Sequence, residues 1–339
     1  MEWSAFWSSC SILFFNLILA HKFPCDVDFE SRIVTTPRPR TTLSPEHSFA
    51  LLIVTLYGNK RILDGPICLM DGTCVNIVDS AMEGERGITF IRDISTQELQ
   101  ITTMNLKLPR KLDGANIDTS KWKVDHDSLD FTSYTITMIE EMFASGAVEI
   151  SPNAAADVLS IGLGAGYINS YLHKSYSRMN ITVVEIDRNM LDIALKWFGL
   201  ELDNRHRVII EDGVEYVKRT ARAGVKFDVI HIDACTMEEN VDTNCPIDIF
   251  YTEEMVRNFA AMLKPRGVVI MNVLTLSGDD MAAAKKVKKA FEKAFKKCLG
   301  KYAPFSPPNI VMTCAQFQRP PGLKERYQQF RNYSTGGQS

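Results

Sequence analysis

Three glycines at alternate positions, Gly162, Gly164 and Gly166, follow the apolar run "DVLSI" at residues 157–161. Glycine there lets the backbone turn tightly and leaves no Cβ between its N–H groups and a ligand. A helix starting just beyond offers partial positive charge to an anionic group. Nineteen residues past Gly166, Glu185 and Ile186 close a second apolar run, "ITVVEI", the place from which an acid accepts hydrogen bonds from ribose hydroxyls. Asp212 and Gly213 follow a third run, "RVII" with Glu211 between. Asp212 can accept from the exocyclic amine of adenine, and the same side chain can simply cap a helix. Asp233 ends a fourth run, "FDVIHID", and faces the same crevice.

The glycines are spaced GxGxG and not GxGxxG, which favours an adenosyl sulfonium, S-adenosyl-L-methionine or a relative, over a dinucleotide. His231 shares the strand face of Asp233 by alternation, although a lone strand histidine is more often packed in a core. Cys235 and Asn272 fall near the same rim without an assigned role. Tyr167 starts the first helix, where it lines a pocket or merely packs.

These residues need strand ends brought to one edge. From Asp157 onward, "DVLSIG", "ITVVEID", "HRVIIEDG", "FDVIHIDA" and "GVVIMNVL" alternate with helical stretches near 167–176, 188–198, 214–222, 252–263 and 280–298. Continuous apolar strands require cover on both faces, so the expected fold is α/β, a doubly wound, mostly parallel seven-stranded sheet, with "NIVMTCAQF" as a last, antiparallel strand at its end. A helix over 133–147 precedes the sheet, with Tyr134, Met138, Met142 and Phe143 in helical spacing and Gly146 as its stop. Upstream, "FALLIVTLYG", "CVNIVDS", "GITFIRDI" and "LQITTMNLKL" predict a small antiparallel sheet of hairpins. The expected helix 279–298 carries seven lysines on one face, a composition usual for solvated surface.

The 339 residues carry a net charge of −3, which gives no global attraction to nucleic acid or anionic membrane. "CSILFFNLILA" at 10–20 has the length of a signal-peptide core, but its only preceding charge is Glu2, and it also suits a short anchor or a buried helix. The expected division is 1–20 signal or anchor, 21–46 linker, 47–110 small β-rich domain, 120–318 catalytic domain and 319–339 tail. Membrane association is expected only if the first segment is an uncleaved anchor; otherwise the chain is secretory, or cytoplasmic if the segment is unused. Eight cysteines form no CxxC pair, so no metal site is expected. In a secretory chain Cys68 and Cys74 are close enough for a hairpin disulfide, and Asn180-Ile-Thr and Asn332-Tyr-Ser become glycosylation sequons, the first on the rim opposite the crevice.

"VLSIGLGAGYINSYLHKSY", "ITVVEIDRNMLDIALKWFGL", "VIIEDGVEYV" and "FDVIHIDACTMEENVDTNCP" together resemble the spermidine-synthase-like branch of class I methyltransferases, nearest to its members that methylate lysine and N-terminal amines of a translation elongation factor. The resemblance implies S-adenosyl-L-methionine as cofactor and a protein amine as acceptor, and allows a homodimer. It places Gly162, Gly164 and Gly166 at the methionine part of the cofactor, Glu185 and Ile186 at the ribose side, Asp212 and Gly213 at the adenine, and Asp233 beside the sulfonium as the catalytic residue. Polyamine synthases look like "GGGDG" and "DSSDP" where this chain has "GLGAG" and "DACTM". Ala165 and Thr236 thus replace two acids that a polyamine reaction uses, and Ser160 replaces an acid common among methyltransferases. Aminopropyl transfer and a non-catalytic binding protein keeping the fold are the rival readings.

Overall fold

The computed structural model describes residues 60–84, 87–97, 99–109, 118–127, 129, 133–303 and 309–334. The expected signal segment, the linker, the "FALLIVTLYG" strand, Cys10 and Cys25 lie outside the described residues.

Strands β1 (Lys60–Cys68), β2 (Cys74–Gly84), β3 (Gly87–Ser95) and β4 (Gln100–Asn105) form an antiparallel sheet in chain order. β1 was not expected, because Asp64, Gly65 and Pro66 interrupt it. Its pairing with β2 shifts register on both sides of Asp64, and an edge strand tolerates a proline that a central one would not.

The chain then alternates helix and strand: α1 (Tyr134–Ala144), β5 (Asp157–Ile161), α2 (Tyr167–Ser175), β6 (Asn180–Glu185), α3 (Arg188–Trp197), β7 (His206–Ile210), α4 (Gly213–Arg222), β8 (Phe227–Ile232), α5 (Glu253–Ala261), β9 (Leu263–Val273), α6 (Asp280–Phe291), β10 (Lys297–Tyr302), β11 (Ile310–Ala315) and α7 (Leu323–Ser334). The seven strands lie in the order β10-β11-β9-β8-β5-β6-β7. β5 to β9 run parallel and the last two antiparallel. This is a doubly wound sheet of the expected kind. Alternation along β5 explains its apolar run: Leu159 and Ile161 enter the core under α4, α5 and α6. Val158 enters the opposite core, under α1, α2 and α3.

Two expectations change at the C-terminal end. The helix expected over 279–298 stops at Phe291, and Lys297 already belongs to β10. Cross-strand pairing wins over helical periodicity there, because Cys298 lies opposite Cys314 and is bonded to it. The lysines are therefore divided between a helix, a turn and an edge strand. β11 is not the end of the sheet, since β10 adds outside it.

The small sheet does not stand apart. Its Val75, Ile77, Phe90, Ile94 and Met104 share one core with Met190, Ile193 and Phe198 from α3 and its C-terminal end, and with Ala165 of the glycine loop. Arg92, 2% exposed, fastens the join: it donates to both oxygens of Asp79 and to the carbonyls of Trp197 and Thr119. A buried guanidinium is tolerable only with this degree of pairing.

The segment expected as a tail contains α7, which is tied to α1. Glu140 and Glu141 of α1 are both buried. Glu140 accepts from Arg331 of α7 and from Lys301, and Glu141 from Thr313 and Arg319. Arg326 donates to the carbonyls of Phe143 and Ala144, satisfying the end of α1. Among the described residues no helix is long and apolar enough to cross a membrane.

Candidate active site at the strand ends

The three glycines have different structural duties. All take positive φ, +96° at Gly162, +53° at Gly164 and +78° at Gly166. A Cβ on Gly162 would lie 2.5 Å from the Asp233 carbonyl oxygen, so this glycine lets β5 and β8 approach where their ends diverge. A Cβ on Gly166 would meet Leu200 at 2.9 Å. A Cβ on Gly164 would meet only Thr102 Oγ1 of β4, at 3.4 Å.

Glu185, at the end of β6, closes the loop. It is 8% exposed, and its Oε2 accepts from the Leu163 N–H at 2.9 Å while Oε1 accepts from the Asp187 N–H at 2.8 Å. Burial raises its pKa, with the backbone donors opposing that shift. The carboxylate faces three backbone N–H groups, those of Leu163, Asp187 and Ile186. Ile186 stands beside it, 52% exposed.

At the next strand, Asp212 caps α4, its Oδ1 accepting from the Val214 N–H at 2.7 Å. The capping role therefore uses one oxygen of this exposed side chain. Gly213 is small because of packing: a Cβ there would meet Ile161 at 3.0 Å and Phe250 at 3.1 Å.

Asp233, just past β8, is held from two sides. Tyr134 donates its hydroxyl to Oδ2 at 2.9 Å and Asn272 its amide to Oδ1 at 3.1 Å. Asn309 in turn donates to Asn272 Oδ1 at 2.9 Å, which fixes the amide's orientation. Burial raises the pKa of Asp233, and the two donors pull it back. Burial and the adjacent carboxylate push Tyr134 well above the ordinary tyrosine value, so it stays a donor. His231 is fully buried, and burial lowers its pKa to about 4. It is a neutral core residue. Tyr134 is the residue that sequence reasoning missed, having been read only as part of a helical stripe. Its partner is 99 positions away, and no local pattern carries that contact.

The loop after Asp233 is closed by a Cys235–Cys245 disulfide. Asn244 reinforces it, donating to the carbonyls of Thr236 and Glu238 and accepting from the Leu276 N–H. Asp233, Cys235 and Cys245 place one carboxylate oxygen and two sulfurs within 4.8 Å of one another. The two sulfurs are spent on each other, so the donor set does not suit an ion. Cys68 and Cys74 also form the expected hairpin disulfide. Asn180 is less suited to a glycan than its sequon implies, since its amide donates to Asp157 and accepts from Arg207.

Known proteins resemble this chain in sequence and in fold. A relative from Drosophila melanogaster, "eEF1A lysine and N-terminal methyltransferase homolog", is 32% identical over 118 residues, 35% of this chain and 18% of its own. The chain spans about a fifth or less of the length of the curated relatives it matches first. Human methyltransferase-like protein 13, solved with SAH, superposes with a TM-score of 0.54 at 24% identity, covering 60% of this chain and 92% of that one. A probable spermidine synthase from Corynebacterium glutamicum gives a TM-score of 0.54 at 16% identity, covering 82% and 96%. At these identities both structures show the fold. The spermine/spermidine synthase domain model matches residues 137–309, from inside α1 to the start of β11, and by this match over just more than half its length the chain belongs to that family.

Proposed function

We propose that this chain is an S-adenosyl-L-methionine-dependent methyltransferase whose acceptor is a protein amine, a lysine side chain or an N-terminus. The observation that carries the reading is Asp233, clamped by Tyr134 and Asn272 with its backbone against Gly162. The Drosophila relative, an eEF1A lysine and N-terminal methyltransferase homolog by name, supports the acceptor class. The positive-φ glycine loop, tied to Glu185 at the end of β6, fits an adenosyl cofactor. When bound, that cofactor supplies an electrophilic methyl group on a sulfonium. Glu185 holds the ribose and keeps the glycine loop closed. Asp233 accepts a hydrogen bond from the incoming amine, sets its lone pair in line, and takes its proton.

Aminopropyl transfer is less well supported. Ala165, where polyamine synthases carry an acid, is 1% exposed within the core shared with the small sheet. Thr236 Oγ accepts from the Glu238 N–H within its own loop. Neither position can hold a polyamine nitrogen as a carboxylate would. Calorimetric titration of the full chain with S-adenosylmethionine, S-adenosylhomocysteine and decarboxylated S-adenosylmethionine tests the reading. Binding of the first two is expected. Preference for the third would install aminopropyl transfer, and no binding at millimolar ligand would leave a non-catalytic binding protein.

Residues 1–20 are proposed to direct the chain into the secretory pathway. Three disulfides support this, since such pairs persist in oxidising compartments. Intact mass of the mature protein reports both the cleavage and the three bonds.

A further inference from the structure

The turn between β1 and β2 is a built object. Leu69 and Thr73 close it with a backbone hydrogen bond of 2.8 Å, Gly72 turns at φ +87°, and the Cys68–Cys74 disulfide joins its two ends. Its tip is docked where the β6 strand ends. The Met70 N–H donates to Asp187 Oδ2 at 2.6 Å, and Asn189 Nδ2 donates to the Cys68 carbonyl at 2.9 Å. Asp187 directly follows Ile186. The hydrogen bond sets the Met70 backbone against the residue next to Ile186, and both apolar side chains are exposed, Met70 at 71% and Ile186 at 52%. Here the backbone is pinned and the thioether is held in the open. Farther along the crevice, Thr102 of β4 stands over Gly164, so the small sheet borders the site at two points.

We infer that the disulfide-stapled turn is part of the nucleoside end of the cofactor site, with Met70 and Ile186 providing apolar contact for the adenine ring. The inference rests on the methyltransferase reading. A thioether is polarizable and makes favourable contacts with aromatic rings. Asp187 caps α3 with Oδ1 and holds the turn with Oδ2, so one side chain sets both the helix and the wall. The disulfide keeps the turn rigid before ligand arrives, which lowers the ordering cost of binding.

The experiment measures calorimetric affinities of the full chain for S-adenosylhomocysteine and for methylthioadenosine, which keeps the nucleoside and lacks the amino-acid end. Met70→Ala is expected to weaken both by the same factor, about five- to tenfold. Equal affinity of Met70→Ala and wild type for both ligands would overturn the inference while leaving the methyltransferase reading in place. Failure of wild type to bind S-adenosylhomocysteine would overturn both. Hydrogen exchange on the unmutated protein gives a second test: amides of residues 69–74 are expected to slow on ligand binding, and unchanged exchange there counts against the wall.

Discussion

Replacing Glu185 by glutamine separates its two assigned duties. In the structure its carboxylate accepts from Leu163 and Asp187 N–H groups at 2.9 and 2.8 Å. Glutamine supplies one oxygen and turns its NH2 toward the other donor, leaving one buried N–H unpaired at a cost of about 1–3 kcal/mol. Relief from burying the charge offsets part of this, so the expected loss of stability is about 1 kcal/mol. Ligand binding loses more, because a hydroxyl bonded to a charged acceptor contributes roughly 1.5–3 kcal/mol, equivalent to a ten- to 150-fold weaker Kd. Urea denaturation and calorimetry with S-adenosylhomocysteine read the two effects on one preparation. If Glu185→Gln loses stability yet binds within twofold of wild type, Glu185 is a loop strut and the ribose contact is wrong.

Tyr134→Phe removes a donor that lowers the Asp233 pKa. Asp233 must be ionised to take the amine's proton, so the acid limb of methyl transfer is expected to move to higher pH, with loss at pH 7 recovered as pH rises; a pH-independent loss would refute this. His231 stays neutral when folded, with a pKa of about 4 against 6.5 for the free side chain. The unfolded chain therefore takes up a proton that the folded one refuses as pH falls below 6.5, and stability drops until about pH 4. The 2.5-unit interval corresponds to about 3 kcal/mol. His206 behaves alike, so His231→Phe should remove about half of their combined slope in denaturation midpoints between these limits; an unchanged slope would exclude His231 as a source.

The sheet was legible because burial on both faces imposes a composition: each of β5, β6, β8 and β9 is an apolar run. The glycine loop was legible because positive φ at three alternate positions demands glycine. Other features depend on partners far along the chain. β1 is disguised by Asp64-Gly65-Pro66, and the boundary between α6 and β10 by lysines that suit a solvated helix and an edge strand equally. Met70 meets a carboxylate 117 residues away. Asp212 shows the limit of motif reading, since capping and adenine recognition ask for the same residue at the same place.

The ties between α1 and α7 define where this protein can be cut. The family match stops at residue 309, yet Arg319 and Arg331, which neutralise Glu141 and Glu140, lie beyond it. A recombinant fragment trimmed to the matched segment would lose β11 from between β9 and β10 and leave Glu141 without its arginine, which for a buried carboxylate alone costs about 3–5 kcal/mol, while Glu140 would keep Lys301. Such a loss is comparable to the whole margin by which a domain of this kind stays folded, about 5–15 kcal/mol. The smallest autonomous unit therefore extends through α7, and the edge of the family match is not a folding boundary.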